Sequence, residues 1–452
     1  MKKIFSFLIL ILFITTVNKA QPNQNDILTV GDEHWDPAFI PANSVNGIVY
    51  AIAVKDSNVY VGGSFTIAGS VPANNIAKWN GHTWSAIGTG TNDTVRAIVV
   101  ASNDIWVGGD FTQAGGNTVN YISKWDGTSW NAIGNGFNDR VRALAISGTN
   151  IYAGGDFLKS GIDTVNFVAM WNGSIWSPLG NGVCSGGAYP QVHTLAVSGS
   201  GVFVGGGFYS ADTVLSHNLA RWDGTKWNSV GGGTNNFVRG LAMRGSNLYA
   251  VGDFTIAGTT TVNYVGLWNG TAWSVIDQGI DTSAFACASN STDIYVASSK
   301  SAASANNITK YDCCWDAFGS GTDSVIYAMA LNGADLWVGG RFINAGGKPS
   351  QYFGHWNANI NYAGINETRF PSDFASFYPN PADENYYIKF KTPLAENTFI
   401  NCYDIKGKIV FMDLIPQNAR DYKLQISSYA KGTYLLRFND EKHSFFNKFV
   451  KQ

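Results

Sequence analysis

Seven residues recur at one position of a repeated pattern and carry the chain's clearest chemical potential: Tyr50, Arg96, Arg142, His193, Arg239, Phe285 and Tyr327. Each follows a small or branched apolar residue at the start of a β-branched run. Guanidinium forks at three of them suit a carboxylate or another planar anion, and rings at the others suit stacking against a sugar. Three arginines gathered at one place repel unless something offsets their charge. Aspartates on neighbouring connections, such as Asp93, Asp139 and Asp281, are candidates for that role. If carboxylates pair tightly with each arginine the ring is structural, whereas an open, unpaired cup would take an anion or acidic sugar.

Other chemistry is sparse. Six histidines (34, 82, 193, 217, 355 and 443) are scattered along the chain. His193, His217, Cys184 and Tyr189 lie near one another in sequence, but all within one repeat, so no copper centre is expected. The five cysteines (184, 287, 313, 314 and 402) show neither paired disulfide spacing nor a metal-binding pattern, and Cys313-Cys314 reads as incidental. No Ser–His–Asp order, phosphate loop or calcium motif stands out. Asp110, Asp156 and Asp253 repeat at one position, as structural residues do. No catalytic residue, metal or cofactor is expected.

The elements that would position the ring are repeats. A Gly-Gly-x-Phe or close variant ends at Phe65, Phe111, Phe157, Phe208 and Phe254, spaced 46, 46, 51 and 46 residues apart. The next copy ends at Phe342, and a decayed one, Ile294 to Ser299, falls between. Each copy reads as four short strands in a meander. Tryptophans paired at 79/84, 125/130, 171/176, 222/227 and 268/273 flank an Asn-Gly or Asp-Gly dipeptide, the signature of a type I′ hairpin. Rings of that size suit packing between adjacent sheets. The last copy supplies three strands (326–331, 335–340 and 352–356), and residues 33–39 read as a lone outer strand. Together they complete one sheet, closing a ring and hiding its edges. The expected fold is all-β: a seven-bladed β-propeller over 31–360, with an N-terminal strand closing the last blade. The five extra residues around Val183 to Gln191 enlarge one loop on the ring's own face.

The glycine pair and downstream tryptophan resemble kelch-type propellers and the central propeller of galactose oxidase-like proteins. The second tryptophan after Asn/Asp-Gly departs from the usual kelch spacing. Function on such scaffolds varies widely.

After Trp356 the repeats cease. Residues 361–374 read as a linker, and 11 of the 30 basic residues follow Phe374. Short alternating strands from 375 to 452 predict a small, immunoglobulin-like β-sandwich. Phe377-Tyr378-Pro379-Asn380-Pro381, Tyr403 to Val410, Lys431 to Arg437 and Lys448 to Lys451 resemble, in that order, the C-terminal sorting domain of type IX secretion cargo. The resemblance implies the type IX machinery of a Bacteroidetes-type cell as a partner, with the domain removed and the passenger released or attached to the surface.

Lys2 and Lys3 precede an apolar run from Ile4 to Ile14, which reads as a signal peptide over 1–20, too short to span a bilayer. No later segment is long and apolar enough to be a transmembrane helix. A net charge of -2 without a basic stripe excludes nucleic acid as an expected partner. The expectation is a secreted or surface-attached, non-catalytic binding module for glycan or protein. The alternatives are a carbohydrate-active lyase or hydrolase with loop-borne residues, or a structural adhesion component.

Overall fold

A computed structural model describes residues 31–185, 189–199, 201–299, 307–359, 374–395, 397–404, 409–439 and 444–452. The expected signal peptide and, apart from Phe374, the expected linker lie outside these residues. The described chain is all-β, its only helical turns being three short 3-10 segments between Asp32 and Asn43.

The repeats form successive meander sheets. The first contains Ile48–Lys55, Asn58–Ser64, Ile76–Trp79 and Trp84–Ala86, hydrogen-bonded in chain order. Five further four-stranded sheets follow the same order, including the decayed copy, and a last sheet has three strands. Their first strands are Val95–Ala101, Val141–Ser147, Gln191–Ser198, Val238–Arg244, Ala284–Ser289 and Ile326–Asn332. Each first strand packs against the next, and Ile326–Asn332 packs against Ile48–Lys55. The first strands are therefore innermost, and the arrangement is propeller-like.

The glycine pairs on the second strands have two distinct causes. A Cβ on Gly62, Gly108, Gly154 or Gly205 would collide with the valine of the next innermost strand (Val95, Val141, Val192 and Val238). Gly339 stands in the same relation to Val49 of the first sheet, so last meets first through the contact used elsewhere. In the fifth sheet Val251 replaces this glycine, and the following strand carries Ala284 instead of valine; volume is exchanged across the seam. The second glycine faces a carbonyl instead. A Cβ on Gly63, Gly109, Gly155, Gly206, Gly252 or Gly340 would strike a backbone oxygen at the start of the opposing strand, just before that strand bulges.

The tryptophans pack between sheets as their size predicts, and six also tie a sheet to the element before it by hydrogen bonds, Trp84 donating to the carbonyl of Asn43 at 3.1 Å. The indole Nε1 of Trp130, Trp176, Trp227 and Trp273 donates to the carbonyl of Ile87, Ile133, Leu179 and Val230 in the preceding sheet, at 3.1, 3.1, 2.7 and 3.0 Å. Trp35, from the N-terminal segment, donates likewise to Phe318 at 3.2 Å. Trp315 of the decayed copy has no partner for its buried Nε1.

Two expectations need correction. Residues 33–39 do not form an outer strand: the segment makes a single bridge, Trp35 to Trp356, between two 3-10 turns. Pro37 permits no longer ladder, because it lacks an amide N–H. The segment is pinned instead by side chains. His355, stacked on Trp337 at 4.0 Å, lies between Asp36 (3.2 Å) and Asp335 (2.8 Å). The Asn-Gly and Asp-Gly connections are also not type I′ turns. Only the glycine takes positive φ, near +100° at Gly127, while the Asp126 carboxylate accepts from the Thr128 and Ser129 amides. This side-chain cap organises a four-residue loop in place of the two-residue turn. These donors hold the Asp126 carboxyl well below its usual range, the Ser129 amide foremost.

The tail forms two sheets. One holds Ala375–Tyr378, Asn385–Phe390 and Asp421–Gln425; the other holds Thr398–Asp404, Ile409–Ile415, Gly432–Asn439 and Ser444–Lys451. They share one core containing Tyr386, Ile388, Ile400, Leu424, Leu436 and Phe449, giving the expected sandwich.

Candidate functional site

Every innermost strand is irregular at the same place. Register shifts fall between Val49 and Ala51, Val95 and Ala97, Val141 and Ala143, Val192 and Thr194, Val238 and Gly240, Ala284 and Ala286, and Ile326 and Ala328. The residue skipped in each case is one of the seven singled out by sequence. A bulge re-aims the side chain it carries, and all seven are half-buried rather than packed away.

The structure joins these residues around the inner strands. Tyr50 and Tyr327 lie with ring centroids 5.4 Å apart, and Tyr327 meets Phe285 edge-on at 6.1 Å. The arc is capped at both ends by cations. The Arg96 guanidinium sits 5.0 Å over the Tyr50 ring, and that of Arg239 sits 5.5 Å over Phe285. Three aromatic residues from the first, sixth and seventh sheets thus form one continuous surface.

Each ring arginine is tightly paired with a carboxylate, so the arginine half of the ring is structural and is not an open cup for an anion. Arg96 donates through Nε and Nη2 to both oxygens of Asp110 at 2.7 and 2.6 Å. Arg142 does the same to Asp156 at 2.7 and 2.8 Å, and Arg239 to Asp253 at 2.9 and 2.6 Å. Nη1 takes no part in any of the three pairs. Bidentate pairing strengthens each interaction and fixes the fork; the Asp110 bond also holds the Arg96 proton more firmly. Arg140 adds a fourth cation, 3.2 Å from Asp156 and 3.9 Å from Asp110.

The counter-charges are not those expected from the connections. Asp93 instead accepts from the amide of Thr94, and Asp139 is 3.8 Å from Arg140 rather than from a ring arginine. The pairing aspartates sit at the ends of the second strands, 14 residues beyond their arginines. The sequence held a signal for this. Aspartate occupies that position in the three repeats with a ring arginine; the other four carry Ser64, Gly207, Ser299 and Arg341.

His193 lies among the arginine pairs, its ring 6.1 Å from Phe237. Burial, reinforced by Arg142 and Arg239, lowers its pKa to about 4, against the weaker opposite pull of Asp156 and Asp253. It is a neutral imidazole at ordinary pH. Cys184 meets Ser210 at 2.9 Å and His217 meets the Tyr209 ring at 4.9 Å. Among the described residues the one group able to supply three metal ligands is Asp312, Cys313 and Cys314, all exposed in a hairpin of the decayed copy.

Comparison with known proteins bears mainly on the tail. Residues 376–452 match the family described as secretion system C-terminal sorting domain, and this tail is the type IX sorting module that its motifs resemble. Such a module addresses a chain to the type IX secretion machinery. No curated protein matches the chain. Among solved structures, an immunoglobulin-like β-sandwich protein of the DUF3244 family from Bacteroides vulgatus is 17% identical, covering 17% of this chain and 84% of its own, with a TM-score of 0.16. The acylaminoacyl peptidase of Pyrococcus horikoshii is 10% identical over 76% of this chain, which spans 57% of the peptidase, with a TM-score of 0.43. The β-propeller domain of the Trilobed protease from Pyrococcus furiosus, described as having an open velcro topology, is 10% identical. It covers 70% of this chain and 93% of its own, with a TM-score of 0.41. Among the described residues no helix is long and apolar enough to cross a membrane.

Proposed function

We propose that this chain is an exported, non-catalytic glycan-binding protein whose passenger is a closed seven-bladed propeller over residues 31–360. The tail, 375–452, directs its export and is removed at the cell surface. The observation that carries the binding reading is the aromatic arc of Tyr50, Tyr327 and Phe285, half-exposed at bulges and capped by Arg96 and Arg239. Half-exposed aromatic faces stack on the C–H faces of sugars, and flanking donors supply hydroxyl recognition. The arginines of the three pairs act as supports: with their charge met by aspartate, they fix the arc and do not serve as free anion receptors. Closure of the ring is supported by the Gly339–Val49 contact and by Trp35, which repeat the bonds between neighbouring sheets.

A glycan array probed with the exported protein tests this reading. Binding to one saccharide class that disappears in the Tyr50→Ala, Tyr327→Ala double variant, with the fold intact by circular dichroism, is the expected result. Array binding unaffected by both substitutions would remove the arc from consideration.

A further inference from the structure

We infer that Arg341 is the receptor for a carboxylate on the bound ligand, so that the ligand is an acidic glycan containing hexuronic acid. The inference rests on the glycan-binding reading and specifies its chemistry. Arg341 occupies the position where three other repeats carry the pairing aspartates. Its amide donates to the Val325 carbonyl at 2.9 Å, as those of Asp110, Asp156 and Asp253 do to Thr94, Arg140 and Phe237 at 2.9, 3.0 and 2.9 Å. The backbone is therefore equivalent, and the Arg341 side chain leaves from the point at which an aspartate reaches its ring residue.

The partner at that ring position is Tyr327, which cannot offset a positive charge. Arg341 is exposed, and among the described residues it forms no hydrogen bond through its side chain and no ion pair. Arg96, Arg142 and Arg239 each have a carboxylate on both fork nitrogens; Arg341 has none. Its fork is thus unpaired on a side chain that starts 14 residues beyond Tyr327, the middle ring of the aromatic arc. A pyranose stacked on Tyr327 and Tyr50 would bring a C5 carboxylate within reach of that fork, and bidentate geometry favours a planar carboxylate over a hydroxyl. In the paired half of the ring each ring arginine is met by an aspartate, whereas Arg341 has no carboxylate against it among the described residues.

The test uses the full chain and tetrasaccharides of hexuronic acid, each as free acid and as methyl ester, in titration calorimetry. The expected result is roughly tenfold tighter binding of an acid than of its ester, in line with one charge-assisted hydrogen-bond pair. That preference should shrink with added salt and vanish in Arg341→Gln, while ester affinity stays unchanged. Equal affinity for acid and ester, or a preference surviving Arg341→Gln, overturns the inference and leaves the glycan reading standing. If no acid or ester binds while neutral saccharides on the array do, the inference alone fails. If nothing saccharide binds, both fail.

Discussion

The indole of Trp35 donates to the carbonyl of Phe318 across 283 residues of sequence, and by it the N-terminal segment takes the place of an outer-strand tryptophan. Trp35 is almost wholly buried and also bridges Trp356. Trp35→Ala removes a large buried ring and one interface hydrogen bond. A loss of about 3–5 kcal/mol is expected in urea unfolding, similar to that of Trp176→Ala. A loss below about 1 kcal/mol would show that the N-terminal segment does not secure the last sheet.

The exchange of volume between Val251 and Ala284 predicts a transferable pair. Gly154→Val alone drives side-chain atoms into Val192 and should cost roughly 1–3 kcal/mol by overpacking. Adding Val192→Ala should recover a large part of that loss, giving a favourable coupling in a double-mutant cycle. Additive losses would mean the seam does not depend on this contact.

The arginine pairs should differ in worth. Arg239→Ala leaves Asp253 half-buried with no other ion-pair partner among the described residues, and a loss of about 1–3 kcal/mol is expected. Arg142→Ala leaves Asp156 with Arg140 at 3.2 Å, so its loss should be the smaller of the two. Thermal unfolding of the two variants side by side decides the ranking.

His193 makes a pH prediction with a definite sign. Its folded pKa, about 4, lies below the ordinary 6.5, because burial and the facing Arg142 and Arg239 disfavour the cation more than Asp156 and Asp253 favour it. The unfolded chain therefore binds the extra proton first as pH falls. Stability is unaffected above about pH 6.5 and declines from there towards pH 4. Asp126 and Asp223, whose carboxyls are held down by turn donors, keep their stabilising effect through this window and lose it only below it. His193→Gln should flatten the decline between pH 6.5 and 4; an unchanged slope would reject the assignment.

Export gives the last prediction. Mass spectrometry of protein recovered from the cell surface or medium should find the chain without its sorting domain, residues 376–452. Recovery of an intact Lys451-Gln452 terminus there would count against removal. A chain lacking 375–452 should accumulate in the periplasm.

The tail was legible because its motifs, from Phe377-Tyr378-Pro379 to Lys448-Phe449-Val450, are local and ordered in sequence. The repeats were legible for the same reason: a 46-residue period, alternating strands and placed tryptophans reveal the meander without any long-range contact. The seven residues from Tyr50 to Tyr327 could also be aligned from their repeat position alone. What they do together could not. Whether Arg96 faces a ligand or Asp110 depends on a bulge and on the end of a different strand, brought together by the sheet register. The same repeat places Arg341, 14 residues beyond Tyr327, where three other repeats carry the pairing aspartate. At the N-terminus, the repeat position that suggests an outer strand over 33–39 gives way to Pro37 and to the packing of Trp35 between sheets. Periodicity and motif order specify elements and their succession; pairing of charges across strands is a property of distances, and only the tertiary structure sets those.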